Sequence, residues 1–262
     1  MSGNAPPEVG EALLWLAEVA HENLGTEIAL RAALTAEVFF AYGADGRLAG
    51  VSVSSPGGQW FLESDGPAAT ADLVVEVAST ARAAGIWPSK VTTSGTVKHW
   101  LRPLLAERDV LPVREHDLLA MVCRKQPDEG EGRWATPADR PALERYQRLY
   151  NEEQRTVLAP DWDALLSREA VAVLERDGGI AAVVKRTTDT ARYATIGGTW
   201  TDPRFRGRGL AKGVTAFLVG EILVDRPLVH LVVDDDNTPA ISLYRSLHFD
   251  EVGSCYMGYL TH

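Results

Sequence analysis

The chain has 262 residues, 45% of them hydrophobic, with a formal net charge of −10. Residues 1–130 carry 10 basic and 17 acidic side chains and residues 131–262 carry 16 and 19, so both halves are acidic, which argues against non-specific nucleic-acid binding and mildly favours a cationic partner. One large or two modest globular domains are expected, with no apolar run near the ~20 residues of a membrane helix, no secretory pattern in Met1 to Glu11, and in Cys123 and Cys255 neither a disulfide framework nor a metal-ligand spacing; the default is a cytoplasmic protein without a metal.

In chain order, Val9, Leu13, Leu16, Ala20 and Leu24 recur at helical spacing. Glu37 to Tyr42 is rich in strand formers, Gly43-Ala44-Asp45-Gly46 signals a turn, and Leu48 to Ser54 is the return strand. Pro56-Gly57-Gly58 turns into a third strand at Trp60-Phe61-Leu62. Pro67 to Ala84 predicts a helix, Val91-Thr92-Thr93 a strand, Thr96 to Glu107 a helix and Leu118 to Cys123 an apolar strand. The polar stretch 126–132, with Pro127, Gly130 and Gly132, reads as a linker between domains at 1–125 and 133–262.

The second half repeats this order. Thr136 with Pro137 starts a helix running to about Glu153, and Asp161 to Leu166 is a short second one. A meander follows at Ala170 to Leu174, Ile180 to Lys185 and Tyr193 to Thr201. Leu210, Val214, Phe217, Leu218 and Ile222 form one apolar helix face. Leu228 to Val233 is a continuous apolar run, as a strand buried on both faces requires, so strand, helix and strand imply a right-handed parallel crossover. A helix from Thr238-Pro239 and a strand at Val252 to Leu260 complete the chain. The order of elements suggests a duplicated domain.

Between the meander and its helix lies Arg206-Gly207-Arg208-Gly209-Leu210-Ala211-Lys212. Glycine lets backbone approach a ligand closely, and a helix start leaves N–H groups without intrahelical partners. Together they suit an anion such as a phosphate. The turn lacks both the Gly-Lys-Ser/Thr ending of a P-loop and the three-glycine Rossmann spacing. Taken alone, it is as readily a solvated loop.

Downstream, Asn237-Thr238-Pro239-Ala240-Ile241-Ser242-Leu243-Tyr244-Arg245-Ser246-Leu247-His248-Phe249 resembles the Asn-x-x-Ala-x-x-Leu-Tyr-x-x-x-Gly-Phe signature of GNAT N-acetyltransferases. Arg206 to Ala211 resembles the pyrophosphate motif of that family, Arg/Gln-x-x-Gly-x-Gly/Ala, and the two occur in the family's order. The element order of the first half is similar to that of two-domain GNAT proteins, a tandem build also found in mycothiol synthases. It has Pro56-Gly57-Gly58 but no Arg-x-x-Gly-x-Gly/Ala, so it reads as a degenerate copy that does not hold acetyl-CoA. The fold implied is α/β: two GNAT-like domains, each a mixed, mostly antiparallel sheet flanked by helices, with a splayed parallel strand pair.

The resemblance implies roles. Acetyl-CoA would be the cosubstrate, its pyrophosphate facing backbone N–H groups around Arg208, Gly209, Ala211 and Lys212, with Leu210 also in the cofactor site. Gly207 and Gly209 would allow close approach, and Arg206, Arg208 and Lys212 would add positive charge, with Arg206 alternatively bracing the loop. Pantetheine would pair with Thr199, Trp200 and Thr201 in the gap between splayed strands. Asn237, beside Ala240, would bond the pantetheine arm or simply cap the helix. Tyr244 would protonate the departing thiolate, its ordinary alternative being a core tyrosine. The Trp200 backbone N–H is the candidate oxyanion donor. The strand Tyr193 to Thr201 carries no glutamate, so the base is open among Glu152, Glu153, Asp161 and Asp234, or a water chain. Glu153 and Asp234 are the foremost, the former from helix position and the latter because ligand-facing residues collect at strand ends in open α/β sheets. His230 and Cys255 read as core residues and Asp234-Asp235-Asp236 as a solvated turn. His248 replaces a glycine that normally supplies positive φ.

The function implied is acetyl transfer to a primary amine of a small, cationic molecule, an amino-acid-like metabolite or aminated antibiotic, by direct attack. A protein or peptide amine and a non-catalytic acyl-CoA-binding module are the alternatives. Oligomeric state is left open.

Overall fold

In the computed structural model, which describes residues 7–18, 24–31, 37–55, 58–190 and 192–261, two helices lead the chain, α1 (Pro7–Glu18) and α2 (Leu24–Arg31). The expected single apolar stripe is thus divided, and Ala20 lies outside the described residues. Ala12, Leu16 and Leu30 pack with Leu48, Val51 and Val53. The chain falls into two units, one of residues 1–120, 232–236 and 251–262, the other of 121–231 and 237–250.

In the first unit, β1 (Glu37–Tyr42), β2 (Leu48–Ser54) and β3 (Gln59–Ser64) form the expected antiparallel meander. The first turn closes because Gly46 takes φ 77° and Asp45 accepts the Arg47 N–H. Helix α3 (Pro67–Ala84) opens on a proline, which needs no N–H there, and stops at Gly85, φ 65°. Then come β4 (Lys90–Ser94), parallel to β3, α4 (Gly95–Ala106) and β5 (Leu111–Cys123). Trp60, Leu62, Leu73, Val77, Val91 and Leu101 fill the core between sheet and helices, each worth about 1.5–3 kcal/mol of burial.

Two findings differ from the sequence reading. First, β5 begins at Leu111 rather than Leu118. Its charged half, Arg114 to Asp117, breaks the apolar pattern, but Glu115 accepts from Tyr256 Oη at 2.7 Å and Asp117 pairs with Lys98 at 2.5 Å. Second, the last strand, β11 (Phe249–Thr261), was expected to complete the second domain. From residue 251 onward it belongs to the first unit instead. Cys255 to Tyr259 pair antiparallel with Ser94 to Lys90, and Cys255 packs on Leu118 and Ala120. The strand order in this unit is β1-β2-β3-β4-β11-β5.

The second unit holds β6 (Arg133–Trp134), α5 (Arg140–Gln154), α6 (Trp162–Ser167), β7 (Val171–Arg176), β8 (Gly179–Asp189), β9 (Ala194–Thr201), α7 (Leu210–Ile222), the start of β10 (Val229–Asp234) and α8 (Thr238–Arg245). Its order is β10-β9-β8-β7-β6, antiparallel throughout except β9 with β10. Before α5, a single turn of 3-10 helix spans Pro137–Asp139. There the Asp139 carboxylate accepts the N–H and hydroxyl of Thr136 and a two-point bond from Arg133 at 2.7 and 2.8 Å. These bonds, the Arg133 pair above all, hold its pKa at about 2 against the opposing effect of burial. Val171, Val173, Val183 and Trp200 pack under α5 and α6 with Leu143, Tyr146 and Trp162. The alternate residues of the same strands face α7, as period-2 geometry demands; a Cβ on Gly213 would lie 3.3 Å from Leu174 Cδ1.

The expected linker is not free chain. It belongs wholly to the second unit and lies along α7, where Gln126 donates to the Gly220 carbonyl at 3.2 Å and the Glu131 N–H to Gly213 at 3.0 Å. A side chain at Gly130 would run into the Phe217 backbone, so glycine here serves close packing rather than flexibility. The architecture is therefore mixed α/β, mostly antiparallel strands flanked by helices, with parallel pairs β3/β4 and β9/β10. Among the described residues no helix is long and apolar enough to cross a membrane, and no group of His, Cys, Asp and Glu side chains gathers as metal ligands would.

Candidate active site

The parallel pair β9/β10 is short. Val229 pairs with Ala194 and His230 with Thr195, and the pairing stops there, while β9 continues to Thr201. Residues 196–201 of β9 therefore leave backbone groups on one edge without a strand partner. Strand β9 is also irregular. Its register with β8 shifts twice, between Val183 and Lys185 and between Arg186 and Thr188, and Gly198 takes φ 64°, the conformation of a bulge glycine. Tyr146 Oη fixes the bulge by donating to the Gly198 carbonyl at 2.6 Å.

Ladder parity decides which N–H groups face the open edge. Val183 pairs with Trp200 and Ala182 with Thr201, and the Asp202 N–H bonds the Ala181 carbonyl at 2.8 Å. In an antiparallel ladder that alternation turns the Trp200 N–H toward β8 and those of Thr199 and Thr201 away from it. Trp200 is thus corrected as the oxyanion donor, and Thr199 and Thr201 are the residues whose amides face the gap. The Trp200 side chain has a separate use: it is buried, tilted on Tyr146 at 5.7 Å, and donates to Glu153 Oε2 at 3.0 Å.

After β9, Asp202 accepts the Arg204 N–H and guanidinium and closes a 3-10 turn at Pro203–Phe205. Gly207 and Gly209 take φ 73° and 77°, and a Cβ on either would meet no protein atom within 4 Å. The glycines are required by backbone conformation, and the space beside them is open. Gly209 caps α7 in the left-handed conformation, so the amides of Leu210, Ala211 and Lys212 begin the helix without intrahelical acceptors. Of the basic side chains, Arg204 pairs with Asp202, and Arg206 braces the turn: it donates to the Thr201 carbonyl at 3.0 Å and to Glu153 at 2.6 Å. Arg208, stacked 5.5 Å from the Phe205 ring, and Lys212 have no carboxylate partner among the described residues. These two remain for an anion. The former linker residues Pro127, Asp128 and Glu129 line a cavity of about 330 Å³ beside Lys212, with Ser246, Leu247 and His248.

Tyr244, on α8, is buried, and its hydroxyl donates to Thr199 Oγ1 at 3.2 Å. The sequence pair thus meets in space, the motif tyrosine touching the gap strand. Burial raises its pKa against the smaller opposing effect of Thr199, so the phenol stays protonated and able to give a proton. Thr201 Oγ1 is buried without a hydrogen-bond partner. Asn237 is a helix cap, its Oδ1 accepting the Ala240 N–H at 3.2 Å. His248 takes φ 64°, so the turn after α8 keeps the geometry a glycine would supply.

Of the four carboxylates proposed as base, three are engaged otherwise. Glu153 is held by Arg206 and Trp200, which lower its pKa, Arg206 foremost, the opposite of what a base near neutrality needs. Asp161 caps α6 by accepting from Ala164, and Glu152 is exposed. Asp234 falls in the first unit and pairs with His116 at 2.6 Å. His230 is buried, edge-on to Tyr193 at 6.4 Å.

One residue was not singled out by sequence. Lys185 on β8 is buried. Its Nζ donates to Gln147 Oε1 at 3.0 Å and lies 5.3 Å from the Tyr146 ring and 5.8 Å from those of Tyr150 and Trp162. Burial lowers its pKa to about 8. Its only sequence signal is a charge closing the apolar run Ile180 to Val184, a common strand ending.

The first unit has the matching parallel pair without the gap. Beyond the pairing of Gln59 to Phe61 with Lys90 to Thr92, side chains continue the seam. Thr93 Oγ1 donates to the Leu62 carbonyl at 2.6 Å, and the buried Glu63 carboxylate accepts the Ser94 N–H at 2.8 Å. Its following helix opens on Gly66-Pro67 with no arginine.

Comparison with known proteins agrees with this geometry. Residues 131–249 match the model of the Acetyltransferase (GNAT) family. A GCN5-related N-acetyltransferase from Sphaerobacter thermophilus superposes with a TM-score of 0.63 at 19% identity, over 98% of this chain and 94% of that one. A GNAT-family acetyltransferase from Colwellia psychrerythraea gives 0.57 at 14% identity, over 97% of each chain. A tandem GNAT protein from the clavulanic acid biosynthesis pathway gives 0.55 at 14% identity, over 98% and 96%. At such identities the solved structures speak to fold alone. No curated protein matches the sequence significantly. With the gap strand, the helix-start turn and Tyr244 all inside the matched segment, the chain carries, at residues 131–249, an acetyltransferase domain of the GNAT family.

Proposed function

We propose that the protein is an acetyl-CoA-dependent N-acetyltransferase that acetylates a primary amine of a small, cationic molecule, in the cytoplasm, with its first half a degenerate tandem copy of the second. The observation that carries this is the early end of the β9/β10 pairing at His230, with the Tyr244 hydroxyl at Thr199 beside it. A pantetheine arm fits a strand edge whose amides at Thr199 and Thr201 lack a strand partner, and a pyrophosphate fits the start of α7 with Arg208 and Lys212. Thr199 or Thr201 would hold the carbonyl oxygen, and Tyr244 would return a proton to the thiolate. The stitched seam at Glu63 and Thr93 supports assigning catalysis to the second half alone. The net charge of −10 supports a cationic acceptor.

The test is thiol release from acetyl-CoA with a panel of small amines, beside CoA binding by calorimetry. Tyr244→Phe should lower turnover about 100-fold with CoA affinity unchanged, and Gly209→Glu should abolish CoA binding by clash and repulsion. Tight binding with no turnover on any amine would make the chain a binding module. Unchanged affinity in Gly209→Glu would remove the turn from the site.

A further inference from the structure

Lys185 is a buried amine with no role in the reaction as described. Among the described residues no carboxylate pairs with it; it has one acceptor, Gln147, and three aromatic rings around it. Gln147 is itself fixed, its Nε2 donating to Asn151 Oδ1 at 2.8 Å, while Asn151 Nδ2 donates to the Leu158 carbonyl at 2.8 Å. The amine is therefore held in place rather than left to sample solvent.

What it is held against is Gly198. A Cβ there would stand 2.5 Å from Lys185 Cε and 3.1 Å from Nζ, so the missing side chain is the space the lysine occupies. Gly198 directly precedes Thr199, the residue that Tyr244 touches. The amine therefore lies against the strand one residue before the position that would hold the thioester. Burial with no counter-charge leaves a share of the amine neutral near neutral pH, and a desolvated neutral lysine is a nucleophile.

We infer that Lys185 is a site of self-acetylation, taking the acetyl group from acetyl-CoA bound along β9. This rests on the reading of Thr199 to Thr201 as the strand that holds the thioester. The neutral Nζ attacks the thioester carbonyl. A bond forms between Nζ and the acetyl carbon, the carbon–sulfur bond breaks, and the electron pair leaves with sulfur. The proton lost by Nζ balances the one that Tyr244 delivers to the thiolate, so the products are acetyl-lysine and free CoA with no other reactant. The product is a stable amide, hence a modification and not a relay. Its N–H can keep the bond to Gln147, while the cation, and with it the attraction to the three rings, is lost.

The experiment is incubation of the full chain with acetyl-CoA and no added amine, followed by peptide mass mapping, beside calorimetric CoA binding. The expected result is one acetyl group on the peptide Asp177–Arg186, at Lys185, at least ten times above that on Lys90, Lys98, Lys125 or Lys212, absent in Lys185→Arg and slowed in Tyr244→Phe. Solution acetylation prefers exposed amines, and Lys185 is 6% exposed, so selective labelling of it requires a thioester delivered from within. Acetyl groups on other lysines only, or none, while CoA binds, would overturn the inference. Failure to bind CoA would instead overturn the proposed acetyl-CoA site, Thr199 to Thr201 included, on which it depends.

Discussion

Lys185→Met removes a charge from a site that solvates it poorly. The wild-type ammonium has an ordinary pKa of 10.5 and is brought to about 8 by burial. At about 1.4 kcal/mol per pH unit, a buried cation of this kind costs at most about 3 kcal/mol. The rings of Tyr146, Tyr150 and Trp162, within 5.3 to 5.8 Å, offset this by roughly 0.5–1 kcal/mol each, so the net penalty is at most about 1.5 kcal/mol. The sign follows from proton counting. Above pH 8 the folded protein releases this proton while the unfolded chain keeps it until about 10.5. The unfolded state then binds more protons, and stability rises with pH. Urea unfolding at pH 7 and 9.5 should show the wild type gaining up to about 1.5 kcal/mol relative to Lys185→Met, which should be the more stable protein at pH 7. The upper limit of pH 9.5 matters because the buried Tyr146 and Tyr244, whose pKa values are raised, favour the unfolded state once free tyrosine ionises near pH 10. If Lys185→Met were less stable than wild type by the same amount at both pH values, the ammonium would be well compensated in the fold and the account of the site would fail.

Gly198→Ala should destabilise by about 2–3 kcal/mol in thermal or urea unfolding, from left-handed backbone strain and a Cβ 2.5 Å from Lys185 Cε and 2.8 Å from Tyr146 Oη; a neutral effect would show that the bulge is loose. Glu153→Gln tests brace against base. Both partners of its ion pair are about 40% exposed, so stability should fall by less than about 1 kcal/mol and turnover by less than tenfold, whereas a 100-fold loss of kcat at unchanged CoA affinity would restore it as the base. Asp139→Asn should cost about 2 kcal/mol at pH 7, because Arg133 and Thr136 hold the carboxylate at a pKa of about 2. That contribution is present above the unfolded value near 4 and disappears as pH falls toward 2, so wild type and variant should converge there; a constant gap down to pH 2 would refute it.

What the sequence alone determined is what consecutive residues specify. The turn Arg206 to Ala211 was legible because its demands are local: positive φ at Gly207 and Gly209 and a helix that starts at Leu210. The same holds for Asn237 to Phe249, a cap, a short amphipathic helix and a left-handed turn, and for the meanders, whose alternation and turn residues lie within a few positions. Tertiary structure decided whatever rests on partners far along the chain. A strand's period says that it pairs, not with whom, so β11 read as the end of the second half although it lies against β4. Glu153 read as a candidate base because Trp200 and Arg206, which hold it, lie 47 and 53 positions away. Trp200 lost its assigned role through ladder parity, which depends on the bulged register with β8. Lys185 carried only the signal of a charge at a strand end, since its burial and its place at Gly198 arise only when α5, α6 and the bulged β9 close around it.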